Sequence, residues 1–260
     1  MKQLIKNFIS NKNLFVIIFI NVIGFYCIYE AINVTLTITA TSLILCSFIL
    51  FKMLGVEAGY HRLLSHRSYS TNRFFKCLML LLSSVSGQGS PIVWAGLHRY
   101  GHHGFADKKL DPHTPKHGFW HSYVLWMFKI TEKDINIRSI SDLLKDKDIV
   151  FFHKNSTLIF IIVHLIIFLI NQELYIYILG IPIFLTFHSF CIQTSVVHCK
   201  LPGYKNFSTT ENSLNMPWLF LFVQGECWHN NHHAHPNRIN FKEKWWEFDP
   251  TYYIVKLIKN

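Results

Sequence analysis

Eight of the sixteen histidines fall in three tight clusters: His61 and His66 in HRLLSH, His98, His102 and His103 in HRYGHH, and His229, His232 and His233 in HNNHH. A neutral imidazole is a ligand for borderline transition metals such as iron, zinc and copper. One ion, with roughly three to six ligands, would leave several of the eight unused, so the count points to two ions held close together. On an α-helix, positions i, i+3 and i+4 share a face, so His229, His232 and His233 can project together from one helix. His98, His102 and His103 spread over a wider arc, and His61 and His66, at i and i+5, diverge further. Wide spacing suits neighbouring side chains that reach different ions. A single HxxHH is a weak signal, but three clusters on one side of a protein are a strong one.

The elements that must bring the clusters together are legible in the charge pattern. The chain is 260 residues long and half hydrophobic, and its 25 Lys and Arg all lie in 1–12, 52–154 and 200–260. A spanning helix needs about 20 mostly apolar residues, so each cation-free stretch can hold a helical hairpin. The spans are predicted at 14–30, 34–54, 157–171 and 174–197. The hairpin turns carry Glu30, Asn33, Asn171, Gln172 and Glu173 and no cation, which by the positive-inside rule leaves both termini and the central loop cytoplasmic. The expected fold is an all-α integral membrane protein of one domain, 1–260. Four transmembrane helices form two hairpins under a helical cytosolic cap made of 55–154 and 198–260. Two hairpins buried in a soluble core would not explain so one-sided a distribution of cations. The net charge of +10 then describes a surface facing anionic lipid or an acidic partner; no nucleic-acid motif accompanies it.

Met1–Lys12 is basic, but no convincing cleavage site follows it. The six cysteines are scattered and form no CxxC pair. Phe74–Val85 reads as an interfacial or buried helix of the cap, Thr131–Asp148 as a polar cap helix or loop, and WWEFDPTYYIVKL as a segment near the headgroup layer. The first histidine cluster follows the second span, the next lies in the central loop, and the last follows the fourth span. All three therefore reach the same side and can converge.

The segments GYHRLLSHRSY, QGSPIVWAGLHRYGHH, LDPHTPKHGFW, GYKNFSTTENSLN, GECWHNNHHAHP and WWEFDPTYY carry a family likeness, from about Gly55 to Leu257. In them the chain resembles the membrane fatty acid desaturases, specifically the acyl-CoA (delta-9, stearoyl-type) branch, and the last two segments look most like its bacterial members. The resemblance implies a His-ligated pair of non-haem irons that uses O2 and two electrons to remove two hydrogens from a long saturated acyl chain, leaving a cis double bond. It carries metal-ligand roles onto His61, His66, His98, His102, His103, His229, His232 and His233, and a ninth onto His198 in TSVVH. Asp107, Asp111 and Glu226 stand where carboxylates would orient the imidazole N–H groups. Gln88 and Trp94 match positions lining an acyl tunnel. Lys116, with Lys108 and Lys109, is placed to meet an anionic CoA or carrier phosphate. Electrons would arrive from a separate donor such as ferredoxin, or cytochrome b5 with its reductase.

Two departures stand out. Thr194 replaces the usual Asn four residues before His198, where a hydroxyl can still hold a water. Gly101 widens the usual HxxHH of the middle cluster to HxxxHH, and a local helical bulge would accommodate it. Arg62, Arg67 and Arg99 read as ion-pair partners of nearby carboxylates. His164 and His188, inside spans, read as neutral and hydrogen-bonded; His113, His117, His121, His153 and His235 read as structural or surface residues. The rival readings are a di-iron hydroxylase or alkane oxidiser, a membrane metal carrier, which would need ligands on both sides, and a non-catalytic metal-binding protein.

Overall fold

The structure, a computed structural model, describes residues 12–34 and 36–260. The basic stretch 1–11 and Thr35, in the first hairpin turn, lie outside the described residues. Four helices are long and apolar enough to cross a membrane: Leu14–Ile32, Ile38–Ser65, Lys147–Ile170 and Gln172–His198. Their Ile, Leu and Phe side chains stay exposed along the first and third, where Phe25 is 63% and Leu169 is 73% accessible, as a lipid-facing surface requires. The fourth differs: two thirds of its apolar window is buried, against about a quarter in the other three. It therefore runs through the middle of the stem and touches the first and second spans along its length. Among the described residues no sheet forms, only isolated bridges such as Tyr204 with Asn215.

Local chemistry sets the ends. Thr37 caps the second span by accepting from Ala40 N. A single residue, Asn171, separates the third and fourth spans; its N–H closes on Ile167 O, and its side chain accepts from Leu174 N. The third helix starts ten residues before the expected Thr157. Asp146 caps it by accepting from Asp148 N and Ile149 N, and nothing between Lys147 and Thr157 breaks helical winding. The fourth helix contains Pro182, which has no N–H to give, and the chain just before it, Ile176–Gly180, is wound as π-helix.

The second span carries the same device much further. From Leu50 to Ser65 it is π-wound, so the helix that crosses the stem continues without a break into the cap and ends on the first histidine cluster. Arg73–Val85 packs along this segment and along the third span, with Asn72 as its N-cap. Thr131–Asp148 is a run of 3-10 turns, at Glu132–Asp134, Ile137–Ile140 and Leu143–Lys145, leading into the third span. Of the two intramembrane histidines, His164 is bonded to Tyr175 Oη at 2.8 Å and Val85 O at 3.1 Å, and His188 to Tyr123 Oη at 2.7 Å.

Gly180 fixes how closely the first and fourth spans approach, because a Cβ there would lie 2.3 Å from Cys27 Sγ. Gly180→Leu should therefore destabilise the stem by about 1–3 kcal/mol through overpacking, seen as a drop of several degrees in the unfolding midpoint in detergent. An unchanged midpoint would contradict this packing.

Candidate metal centre

The cap ends of the second and fourth spans meet two short helices, and the nine histidines singled out in the sequence come together there in two groups. His61, His66, His98, His103 and His232 form one; His102, His198, His229 and His233 form the other. The spacing of His61 and His66 was expected to send them apart. The π-winding reverses this: His66 N donates to His61 O, an i to i+5 bond of 3.0 Å, and the rings sit 4.7 Å apart on one side of the helix. The middle cluster repeats the geometry. Leu97–His102 is π-wound, His103 N closes on His98 O, and these two rings are 4.6 Å apart, while His102 reaches the other group. Gly101 sits in this bulge, where a Cβ would lie 3.1 Å from Pro112 Cδ. The third cluster also divides instead of presenting a single face to one point: His232 joins the first group, His229 and His233 the second.

Three asparagines, Asn215, Asn230 and Asn231, hold that last helix, His229–Ala234, from behind. Asn215 Oδ1 accepts from Asn230 N and Asn231 N, satisfying donors at the helix start. Asn230 Oδ1 accepts from Asn206 N and Phe207 N, and Asn231 Nδ2 donates to Phe241 O and Glu247 Oε2. The two residues between the histidines are thus used to anchor the helix, which leaves the imidazoles free to converge.

The donor atoms converge as a metal would require. In the first group Nε2 atoms approach at 3.1 Å (His61, His232), 2.8 Å (His66, His98) and 3.0 Å (His103, His232). In the second they approach at 3.1 Å for His102 with His233, His198 with His229, and His233 with His229. With metal–nitrogen bonds of about 2.1 Å, neighbouring ligands at right angles would be about 3.0 Å apart, and tetrahedral ones about 3.4 Å. The observed separations are short enough for the nitrogens of each group to share one ion.

The protonation pattern agrees. His198 Nδ1 lies 3.1 Å from Asp107 Oδ2 and His102 Nδ1 3.2 Å from Asp111 Oδ2. His61 Nδ1 lies 3.1 Å from Glu226 Oε2, but off the line of a good hydrogen bond. A carboxylate holds the proton on Nδ1 and leaves the Nε2 lone pair outward. Such lone pairs facing one another in a buried space repel unless a cation lies between them. Burial first, and then the neighbouring imidazoles, hold His98, His103, His229, His232 and His233 well below the usual histidine pKa, so they are in the neutral, ligating form. Burial pushes Asp107 and Asp111 up, but the adjoining imidazoles and backbone N–H donors outweigh it and keep both below the ordinary carboxylate range.

Glu211 is a carboxylate that sequence reasoning missed. It lies 3.9 Å from His233 Nδ1, and its only signal was its place in GYKNFSTTENSLN. Arg62 is fully buried between Asp249, at 2.8 and 3.0 Å, and Glu226, at 3.3 Å. Arg67 and Arg99 both pair with Asp142. His113, read as structural or surface, is buried with its ring 4.3 Å from His102; burial and then His102 hold its pKa down at about 3.

An apolar cavity leads to the histidines. Its outer part is lined by Val16, Gln88, Trp94, Trp126, Phe160 and Phe190, and its inner chamber by Trp94, Trp126, Phe190, His98, His102 and His229. The inner chamber therefore touches both groups, and Trp94 stacks on His98 with ring centres 5.1 Å apart. Thr194 also lines it, with its hydroxyl 3.1 Å from both Ser122 O and Cys191 O, so its single proton is committed to a carbonyl. Lys116 is not brought here: it is exposed and lines neither part of the cavity. On another side, a polar cleft containing Lys108, Thr209, Glu211 and His235 opens onto His103 and His233.

The family model for fatty acid desaturase matches residues 37–256. Over 212 residues the chain is 34% identical to Delta-9 acyl-lipid desaturase 2 of Arabidopsis thaliana, covering 79% of this chain and 67% of that one. It is 31% identical over 215 residues to the sn-2 palmitoyl-lipid 9-desaturase of a Nostoc strain, covering 81% and 75%. It is 33% identical over 207 residues to the sn-1 stearoyl-lipid 9-desaturase of a Synechocystis strain, covering 79% and 64%.

The depressed imidazoles set a pH dependence. Unfolding restores them to a pKa of about 6.5, so below that the unfolded chain binds more protons than the folded one. The metal-free protein should be steady above about pH 7 and lose stability progressively as pH falls through about 6.5. Thermal midpoints measured across this range check it, and a midpoint that holds or rises on acidification would contradict the buried neutral cluster.

Proposed function

Because the chain belongs to the fatty acid desaturase family, in its delta-9 branch, we propose that it places a cis double bond, at position 9, in a long saturated acyl chain, using two irons held by its nine histidines. It is an integral membrane protein and an oxidoreductase. One observation carries the proposal: a single apolar chamber touches both groups of converging imidazoles.

His61, His66, His98, His103 and His232 would hold one iron, and His102, His198, His229 and His233 the other. When bound, the irons supply the oxidising power, drawn from O2 and two electrons, that an unactivated C–H bond demands. The protein's own contribution is positional. A saturated chain offers no polar handle, so which carbons meet the histidines depends on the shape of the passage past Gln88 and Trp94. The indole of Trp94, stacked on His98, forms the wall where that passage meets the centre. Asp107 and Asp111 would fix the proton on Nδ1 of His198 and His102 and keep each Nε2 available, and the Glu226 charge lies beside Nδ1 of His61. The apolar lining, once filled by an acyl chain, would keep water from the reacting carbons. Thr194 keeps lone pairs able to accept from a water in the chamber.

The acyl carrier has two readings. The branch resemblance favours an acyl-CoA thioester. An acyl chain already esterified in a membrane lipid is favoured by the names of the relatives. Electrons would come from a separate carrier of the ferredoxin or cytochrome b5 type, and the positive-inside pattern supports a cytosolic centre.

Expression in cells unable to make unsaturated fatty acids should yield monounsaturated chains, read by gas chromatography of total lipid. Isotope-labelled acyl-CoA and labelled phospholipid, supplied separately, distinguish the carriers. An unchanged lipid profile with active electron donors present would overturn the proposal, and a hydroxylated product would favour the hydroxylase rival. His102→Ala and His232→Ala, one from each group, should each reduce turnover by at least about a thousandfold, since no neighbour can replace the lost nitrogen. Retained turnover removes that residue from the ligand set.

A further inference from the structure

Lys52 is fully buried in the second span, where an ammonium persists only with partners. Its Nζ donates to Gln193 Oε1 on the fourth span at 2.9 Å and pairs with Glu57 Oε1 at 2.9 Å. An ammonium has donors only, so the Gln193 atom that faces it has to be the carbonyl oxygen. The other end of the same amide then presents N–H to Glu226 Oε2, at 3.3 Å. That oxygen lies 3.1 Å from His61 Nδ1. Glu57 is held in turn by the Thr251 hydroxyl. A line of contacts therefore runs from a charge inside the stem, through an amide with only one workable orientation, to a carboxylate beside a histidine. The four-histidine group has nothing comparable: its carboxylates Asp107 and Asp111 are held by cap groups, namely Asn212 N, Asp107 N and His113 N.

We propose that Lys52 is a positioning residue for the five-histidine metal site, acting through Gln193 to hold the Glu226 carboxylate beside His61 Nδ1, where its charge orients the ring with Nε2 toward the ion. Without Lys52 the Gln193 amide is free to flip and bring its oxygen against Glu226. The carboxylate would keep Arg62 on Oε1 but lose the donor on Oε2, the oxygen beside His61. This inference rests on the proposal that the histidines hold two metal ions, and it requires that the damage fall on one site alone.

The test is cobalt(II) titration of the metal-stripped, full-length protein in detergent, followed by visible d–d absorption and calorimetry. Lys52→Met combined with Glu57→Gln removes the ion pair as a neutral unit. One of two equivalents should then bind about tenfold more weakly, with an altered spectrum, while the other keeps its affinity. Gln193→Glu keeps an acceptor for Lys52 but removes the donor to Glu226. It should give the same one-sided loss, and it carries the test if the double variant does not fold. Two equivalents that bind as in the unaltered protein, or that weaken in step, would overturn the positioning role. An unaltered protein that takes up fewer than two equivalents would instead overturn the reading of two metal sites.

Discussion

Nine histidines, six of them buried and three half-buried, direct their Nε2 atoms at two points, and the rest of the cap follows from making that arrangement tolerable. Lone pairs brought to about 3 Å of one another away from water repel, and only cations between them turn the repulsion into attraction. The same low dielectric that makes the apo arrangement costly strengthens every contact once positive charge is present. Carboxylates can keep the protons on the far nitrogens, and buried Asp107 and Asp111 are hydrogen-bonded to Nδ1 of His198 and His102, with Glu226 beside Nδ1 of His61. A metal-binding cap of this kind cannot be assembled from loops alone. It requires rigid elements arriving from several directions.

The stem supplies them. The central fourth span delivers His198, and the second span continues as a π-helix to deliver His61 and His66. π-winding puts i and i+5 on one side, so two histidines that an α-helix would separate converge on one point, and the device recurs in the middle cluster. The asparagine scaffold behind His229–Ala234 provides the third approach. The chamber where these elements meet is apolar, which suits the acyl chain proposed to lie against the histidines. Metal binding and substrate shape are thus fixed by the same few helices.

Much of this was legible from residue types and charge. The cation-free stretches marked the hairpins because a bilayer admits few charges, and the histidine clusters marked the centre because imidazoles rarely concentrate without a ligand. Details that depend on winding or on distant contacts were not legible. Periodicity at 3.6 residues per turn misjudged His61 and His66, since nothing in LGVEAGYHRLLSH announces a π-helix. The division of His232 from His233 is a tertiary outcome. Glu211 lies in a loop whose approach to His233 no spacing rule predicts, and the pairing of Lys52 with Gln193, 141 residues on, is a tertiary contact that no local pattern announces. Lys116 is exposed and lines neither part of the cavity, so the role expected of it toward a carrier phosphate is not decided by this geometry.

The central claim is that the nine histidines make two separate nitrogen-ligated metal sites. Elemental analysis combined with iron K-edge X-ray absorption of anaerobically purified protein tests it most directly. The account predicts two irons per chain, a first shell of nitrogen and oxygen at about 2.1 Å, and strong imidazole multiple scattering. One iron per chain, or a shell containing sulfur, would contradict it.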